Sequence, residues 1–183
     1  MIHRLTWTET NEDESRALCD VEHEILAEIK TMIELFPAWD SGGSKSFASH
    51  FRESFRERLD SSWMKAFLLR PMNRRRSSVT NFVVDAARDF FDQKCQHHHQ
   101  IRIEISFDNR QIIGTNVLKM LVGAGRIVTS RRLGILIAPS KDAKNVFGLD
   151  PAVGSSDEYL LAIESGYPEL ISLPIFLGVI RPD

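Results

Sequence analysis

Ile101-Arg102-Ile103-Glu104-Ile105-Ser106-Phe107 alternates strictly, with Ile101, Ile103, Ile105 and Phe107 on one side and Arg102, Glu104 and Ser106 on the other. A period of two residues over seven positions predicts a β-strand with one face in the core. Its polar face carries a single carboxylate, Glu104, held rigidly by the strand. An aspartate from the preceding segment approaching Glu104 would let the pair grip a hard divalent cation through oxygen, as metal-dependent phosphodiester cleavage requires. The plainer reading is an amphipathic strand with its polar face in water.

Working outward, Val21, Ile25, Leu26, Ile29, Met32, Ile33 and Phe36 recur at helical spacing until Pro37 stops the run. Phe47, Phe51, Phe55 and Leu59 then fall four apart, an apolar stripe flanked by Arg52, Glu53, Arg56 and Glu57. Val79 to Phe91 reads as a third helix with Phe82, Val83, Ala86, Ala87 and Phe90 on its buried side, and the polar segment from Asp92 to Gln100 as a loop. The opening residues Ile2 to Trp7 suit a short strand. Downstream, Gly114 to Ala124 has helical spacing, and Leu133-Gly134-Ile135-Leu136-Ile137-Ala138 suits a strand covered on both faces. Pro139 to Ser156 reads as a long loop, Asp157 to Ser165 as a helix, and Ile171 to Ile180 as a last strand. Helices mixed with buried strands predict one α/β domain over residues 1–183, a mixed central sheet flanked by helices.

The chain has 183 residues, 43% hydrophobic and 26% charged, and no apolar run approaches the length of a membrane helix. The N-terminus lacks the pattern of a secretory signal, so the expected location is cytoplasmic, with no membrane partner and with Cys19 and Cys95 as reduced thiols. A formal net charge of −2 offers no global attraction to nucleic acid. Local basic groups at Arg70 to Arg76 and at Arg126, Arg131 and Arg132 could contact phosphates. His97-His98-His99 beside Cys95 raises a zinc reading, but consecutive residues point in different directions and lack chelating spacing.

For the metal pair, Glu104 is the rigid member and its partner must come from Asp85, Asp89 or Asp92. Ser106, two residues on, is shorter and much less basic than a side chain suited to orienting the attacking water. Lys94 or Lys119 could swing into that vacancy.

Asp89-Phe90, followed by Ile103-Glu104-Ile105-Ser106-Phe107-Asp108-Asn109, resembles the corresponding motif of the BglII and BstYI family of type II restriction endonucleases, within the PD-(D/E)XK superfamily. The likeness runs in order through Asn116-Val117-Leu118-Lys119, Leu133 to Ile137, Pro151 to Ser156 with Tyr159, and Leu173 to Ile180. It extends upstream to Ser44 through Trp63. This resemblance implies a restriction-endonuclease-like fold and a homodimer on double-stranded DNA. It also implies Mg²⁺ and cleavage of a short palindrome, GATC-centred in close relatives. By position it makes Asp89, Glu104 and Ser106 the catalytic residues, with Asp89 and Glu104 holding the ion. Asn109, Ser155 and Ser156 become base-contacting residues. The chain departs from the family in the longer interval between Asp89 and Glu104, which brings Asp92 forward as an alternative ligand. It departs again in having Ser at 106, which leaves open a DNA-binding protein impaired in cleavage.

Overall fold

The computed structural model describes residues 3–9, 18–36, 46–69, 83–121, 130–166 and 175–182. Its frame is a sheet of β1 (His3–Glu9), β2 (Met64–Leu68), β3 (Val83–Asp92), β4 (His97–Ile105), β5 (Ser130–Pro139) and β6 (Ile175–Pro182). The six strands lie in the order β1-β6-β5-β4-β3-β2. The central pairs β4–β5 and β5–β6 are parallel, whereas β1–β6, β2–β3 and β3–β4 are antiparallel. The mixed α/β sheet follows from that arrangement, since parallel neighbours need crossovers and the crossovers are helical.

Helices α1 (Asp20–Glu34), α2 (Phe47–Arg58) and α4 (Lys141–Val146) cover one face. Helices α3 (Ile113–Leu121) and α5 (Ser156–Leu161) cover the other. The expected alternation is realised at atomic level. Ile101, Ile103 and Ile105 of β4, with Leu133, Ile135 and Ile137 of β5, pack against Ile29, Ile33, Phe51 and Phe55. Leu136 and Ala138 of β5, with Ile175, Leu177 and Val179 of β6, pack against Val117, Met120 and Tyr159. Gly134 lets α3 approach β5 closely, because a β-carbon there would stand 3.1 Å from Met120 Cβ.

Three expected elements differ. The segment taken for a third helix is strand β3, in which Val84, Asp85, Ala86 and Ala87 are all buried. Apolar residues in so short a segment fit a helix stripe and a doubly covered strand alike, and pairing with β4 and β2 decides the matter. The polar stretch after it is a tight turn, not a loop up to Gln100, and β4 already begins at His97. Asp92 Oδ1 accepts the Lys94 N–H at 2.8 Å and Gln96 takes φ 56° to close that turn. Thirdly, the stretch from Pro139 to Ser156 contains α4, whose N-cap Ser140 accepts the Ala143 N–H at 3.1 Å. The basic stretch 70–76 and Arg126 lie outside the described residues.

Candidate active site

The ladder between β3 and β4 runs from Asp92↔His97 to Ala86↔Ile103 and stops there. Beyond that point the Asp85 carboxylate takes over a backbone bond, Oδ2 accepting the Ile105 N–H at 2.8 Å. Asp85 thus sits beside Glu104 where the two strands part. Asp89 pairs with Gln100, four residues short of Glu104, a separation of about 13 Å along the strand. Its two oxygens are held by the Arg102 guanidinium. Asp92, opposite His97, is farther still, at about 23 Å. Of the three aspartates, the fold therefore brings Asp85 to Glu104, and the assignment of Asp89 or Asp92 to that pair is corrected by the β3–β4 register.

Glu104 is 3% exposed, and one oxygen, Oε2, has no hydrogen-bond partner. Burial is the main reason its carboxyl is pushed up to about 7, the Asp85 charge adds to the rise, and Lys119 opposes it. Lys119, on the last turn of α3, places Nζ 2.5 Å from Glu104 Oε1. Lys94 instead lies in the hairpin turn. Of the two lysines, Lys119, carried on a helix, is the one that reaches Glu104.

Asn116 lies one turn before Lys119 and faces the same way. Its Nδ2 donates to Ser106 Oγ at 2.9 Å and to Tyr159 Oη at 3.0 Å, and Ser106 and Tyr159 hydrogen-bond each other. Ser106 is fully buried. Its hydroxyl therefore ties β4 to α3 and α5, and is committed to structure instead of being open to a water. Burial raises the Tyr159 phenol above its ordinary range, keeping it a neutral partner in this cluster.

From the other side α2 delivers two arginines four residues apart. Arg56 Nη2 donates to Asp85 Oδ1 at 2.6 Å. Arg52 donates to the Ile105 carbonyl at 3.1 Å and to Asp108 Oδ1 at 2.9 Å. By spacing alone both merely flank the Phe51–Phe55 stripe, with no role assigned. Each directly follows a stripe residue, the one signal that it borders the core.

The proposed recognition segments meet in space. Asn109 forms an isolated bridge with Val153, Gly154 N–H donates to the Asp108 carbonyl at 3.0 Å, and Arg110 N–H to the Ala152 carbonyl at 2.8 Å. Asn109 is exposed, but its Oδ1 accepts the Gln111 N–H at 3.0 Å. Ser155 and Ser156 are both buried. Ser155 caps α5, its N–H donating to Glu158 Oε2 at 2.7 Å. Arg131 is engaged by Glu22, at 3.1 and 2.8 Å.

The carboxylates fit a hard divalent cation. A buried glutamate with an unsatisfied oxygen, beside a second carboxylate whose charge disfavours its ionisation, is an arrangement that positive charge relieves. The whole of this chain superposes on 79% of a solved structure, restriction endonuclease BglII complexed with a DNA 16-mer, at a TM-score of 0.64 and 13% sequence identity. The fold is that of a restriction endonuclease. No family profile matches the sequence, and neither does any curated protein. In the restriction-endonuclease-like frame, Asp85 and Glu104 occupy the parting of the antiparallel strands β3 and β4, with cations from α2 and α3 converging on them.

Proposed function

We propose that the protein is a Mg²⁺-dependent, site-specific deoxyribonuclease that acts as a homodimer on a short palindrome in double-stranded DNA. The observation that carries this reading is the buried Asp85–Glu104 pair with Lys119 on Glu104, in a fold shared with an endonuclease solved on DNA. Asp85 and Glu104 would hold the ion, in place of the Asp89 or Asp92 that the family resemblance implies. When bound, it would supply positive charge to the scissile phosphate oxygens and acidify the attacking water. Lys119 balances the Glu104 charge and presents an ammonium beside the reacting phosphate. Arg52 and Arg56 hold the strand ends at fixed spacing and bring positive charge toward the DNA backbone.

The loop after β4, carrying exposed Asn109, Arg110 and Gln111, is the segment proposed to read base edges, GATC-centred bases among them. Ser155 and Ser156 support that loop from the start of α5. Two-fold symmetry of a dimer matches a palindromic site.

The test is cleavage of unmethylated plasmid DNA by wild type, Asp85→Asn and Glu104→Gln, each with Mg²⁺ and with chelator. Discrete fragments from wild type alone, abolished by chelator, support the enzyme. A second reading, a DNA-binding protein of nuclease fold that does not cut, is favoured by the locked Ser106 hydroxyl. It predicts a salt-dependent gel shift on DNA with intact plasmid.

A further inference from the structure

At the far end of β4 from Glu104, and on the opposite face of the sheet, α1 meets the β3–β4 turn. His99 is fully buried there, five residues or about 16 Å from Glu104. Its ring stacks on Phe90 with centroids 5.0 Å apart and planes 11° apart, which fixes the imidazole plane. One edge is aimed at sulfur, Nε2 lying 3.3 Å from Cys95 Sγ. The other edge faces a carboxylate, Nδ1 lying 3.5 Å from Glu22 Oε1 and making no hydrogen bond. Glu22 is itself buried and bound to Arg131.

Ligand atoms of Asp92, Cys95 and His99 lie within 4.8 Å of one another, as do those of Cys19, Glu22 and His99. Cys19 and Cys95 are free thiols. Both, with Asp92, line a cavity of about 280 Å³ between the start of α1 and the turn. Tetrahedral zinc, with bonds of about 2.0 to 2.3 Å, needs ligand atoms roughly 3.3 to 3.8 Å apart. The Cys95–His99 separation already meets that, and the partly exposed Cys19 and Asp92 border the same cavity.

We infer that Cys19, Asp92, Cys95 and His99 form a zinc site, with Glu22 as the outer carboxylate that orients the His99 ring. Zinc accepts this mixture of thiolate, imidazole and carboxylate, whereas magnesium selects oxygen ligands. A carboxylate on the far nitrogen of a metal-bound histidine is the usual means of setting its tautomer. Alternation along β4 explains why a run of three histidines fails as a chelator while one member succeeds, since only His99 both faces α1 and is fully buried. With four protein ligands the site is closed, and its role is to staple α1 to the hairpin. The inference does not depend on the proposed nuclease activity.

The test uses the full chain, purified under reducing conditions, stripped with chelator and titrated with Co²⁺. The expected result is a thiolate-to-cobalt charge-transfer band with the intense visible bands of tetrahedral cobalt, displaced by Zn²⁺ and untouched by excess Mg²⁺. Cys19→Ser and Cys95→Ser should each weaken the band, and the double variant should lose it. Glu104→Gln should keep it. Should the serine variants fail to fold, zinc-edge X-ray absorption of wild type decides, with two sulfur and two nitrogen or oxygen neighbours expected. No charge-transfer band, a band that survives in the folded double variant, an all-oxygen or all-nitrogen shell, or a Cys19–Cys95 disulfide in the native protein would each overturn the proposal.

Discussion

Replacing Glu104 by Gln should remove a loss of stability that the wild-type apo protein suffers at alkaline pH, while abolishing cleavage. Burial pushes the folded carboxyl up to about 7, against an ordinary value of 4.5 in the unfolded chain. The folded state therefore holds its proton over a window in which the unfolded state has released it. The stability this confers is complete below pH 4.5 and is lost as pH rises through 7. A shift of that size is worth on the order of 3 kcal/mol, most of which is lost between pH 5 and pH 8. Gln has the same shape and no charge to desolvate, so it does not share the loss. Relative to wild type, Glu104→Gln should gain roughly 2 to 3 kcal/mol on going from pH 5 to pH 8, seen as a relative rise in melting temperature of about 5 to 10 °C. Thermal unfolding followed by circular dichroism in chelator at both pH values measures it, and the difference between them removes any offset from exchanging the side chain. Adding Mg²⁺ at pH 8 should then raise the melting temperature of wild type and leave the variant where it is. A pH-independent difference between the two proteins would refute the claim that Glu104 is a desolvated carboxylate, and with it the electrostatic case for a cation at this position.

Asp89→Asn should destabilise the fold by about 3 kcal/mol, because it strips the counter-ion from Arg102, which is 3% exposed. Cleavage per folded molecule should persist, measured by urea titration alongside the plasmid assay, and loss of cutting in fully folded protein would return Asp89 to the metal pair. Tyr159→Phe should cost about 1 to 3 kcal/mol with an unchanged denaturant slope, since it takes one hydroxyl from the buried Ser106–Asn116–Tyr159 cluster. A cost below about 0.5 kcal/mol in equilibrium unfolding would show that the remaining two groups satisfy each other.

Much of the scaffold can be read from residue spacing. The alternation at 101–107, the four-residue stripe of Phe47, Phe51 and Phe55, and the doubly apolar run at 133–138 each report burial on a local repeat, and each takes the expected form. Glu104 stands out for the same reason, as a lone acid on a strand. Val83 to Phe91 escapes this logic, because Val84, Ala86 and Ala87 are covered whatever the backbone does, leaving no clean period to distinguish helix from strand.

Local periodicity therefore determined which segments fold against a sheet and which strand bears the acid. The tertiary structure alone decided that Asp85 is its neighbour, that Lys119 pairs with Glu104, and that Cys19, the residue capping α1, meets His99 of β4. Those choices depend on where β3 stops pairing with β4 and on how helices lie across the strands. A one-residue slip in register turns every side chain to the other face, and no spacing within a single segment records the alignment between two.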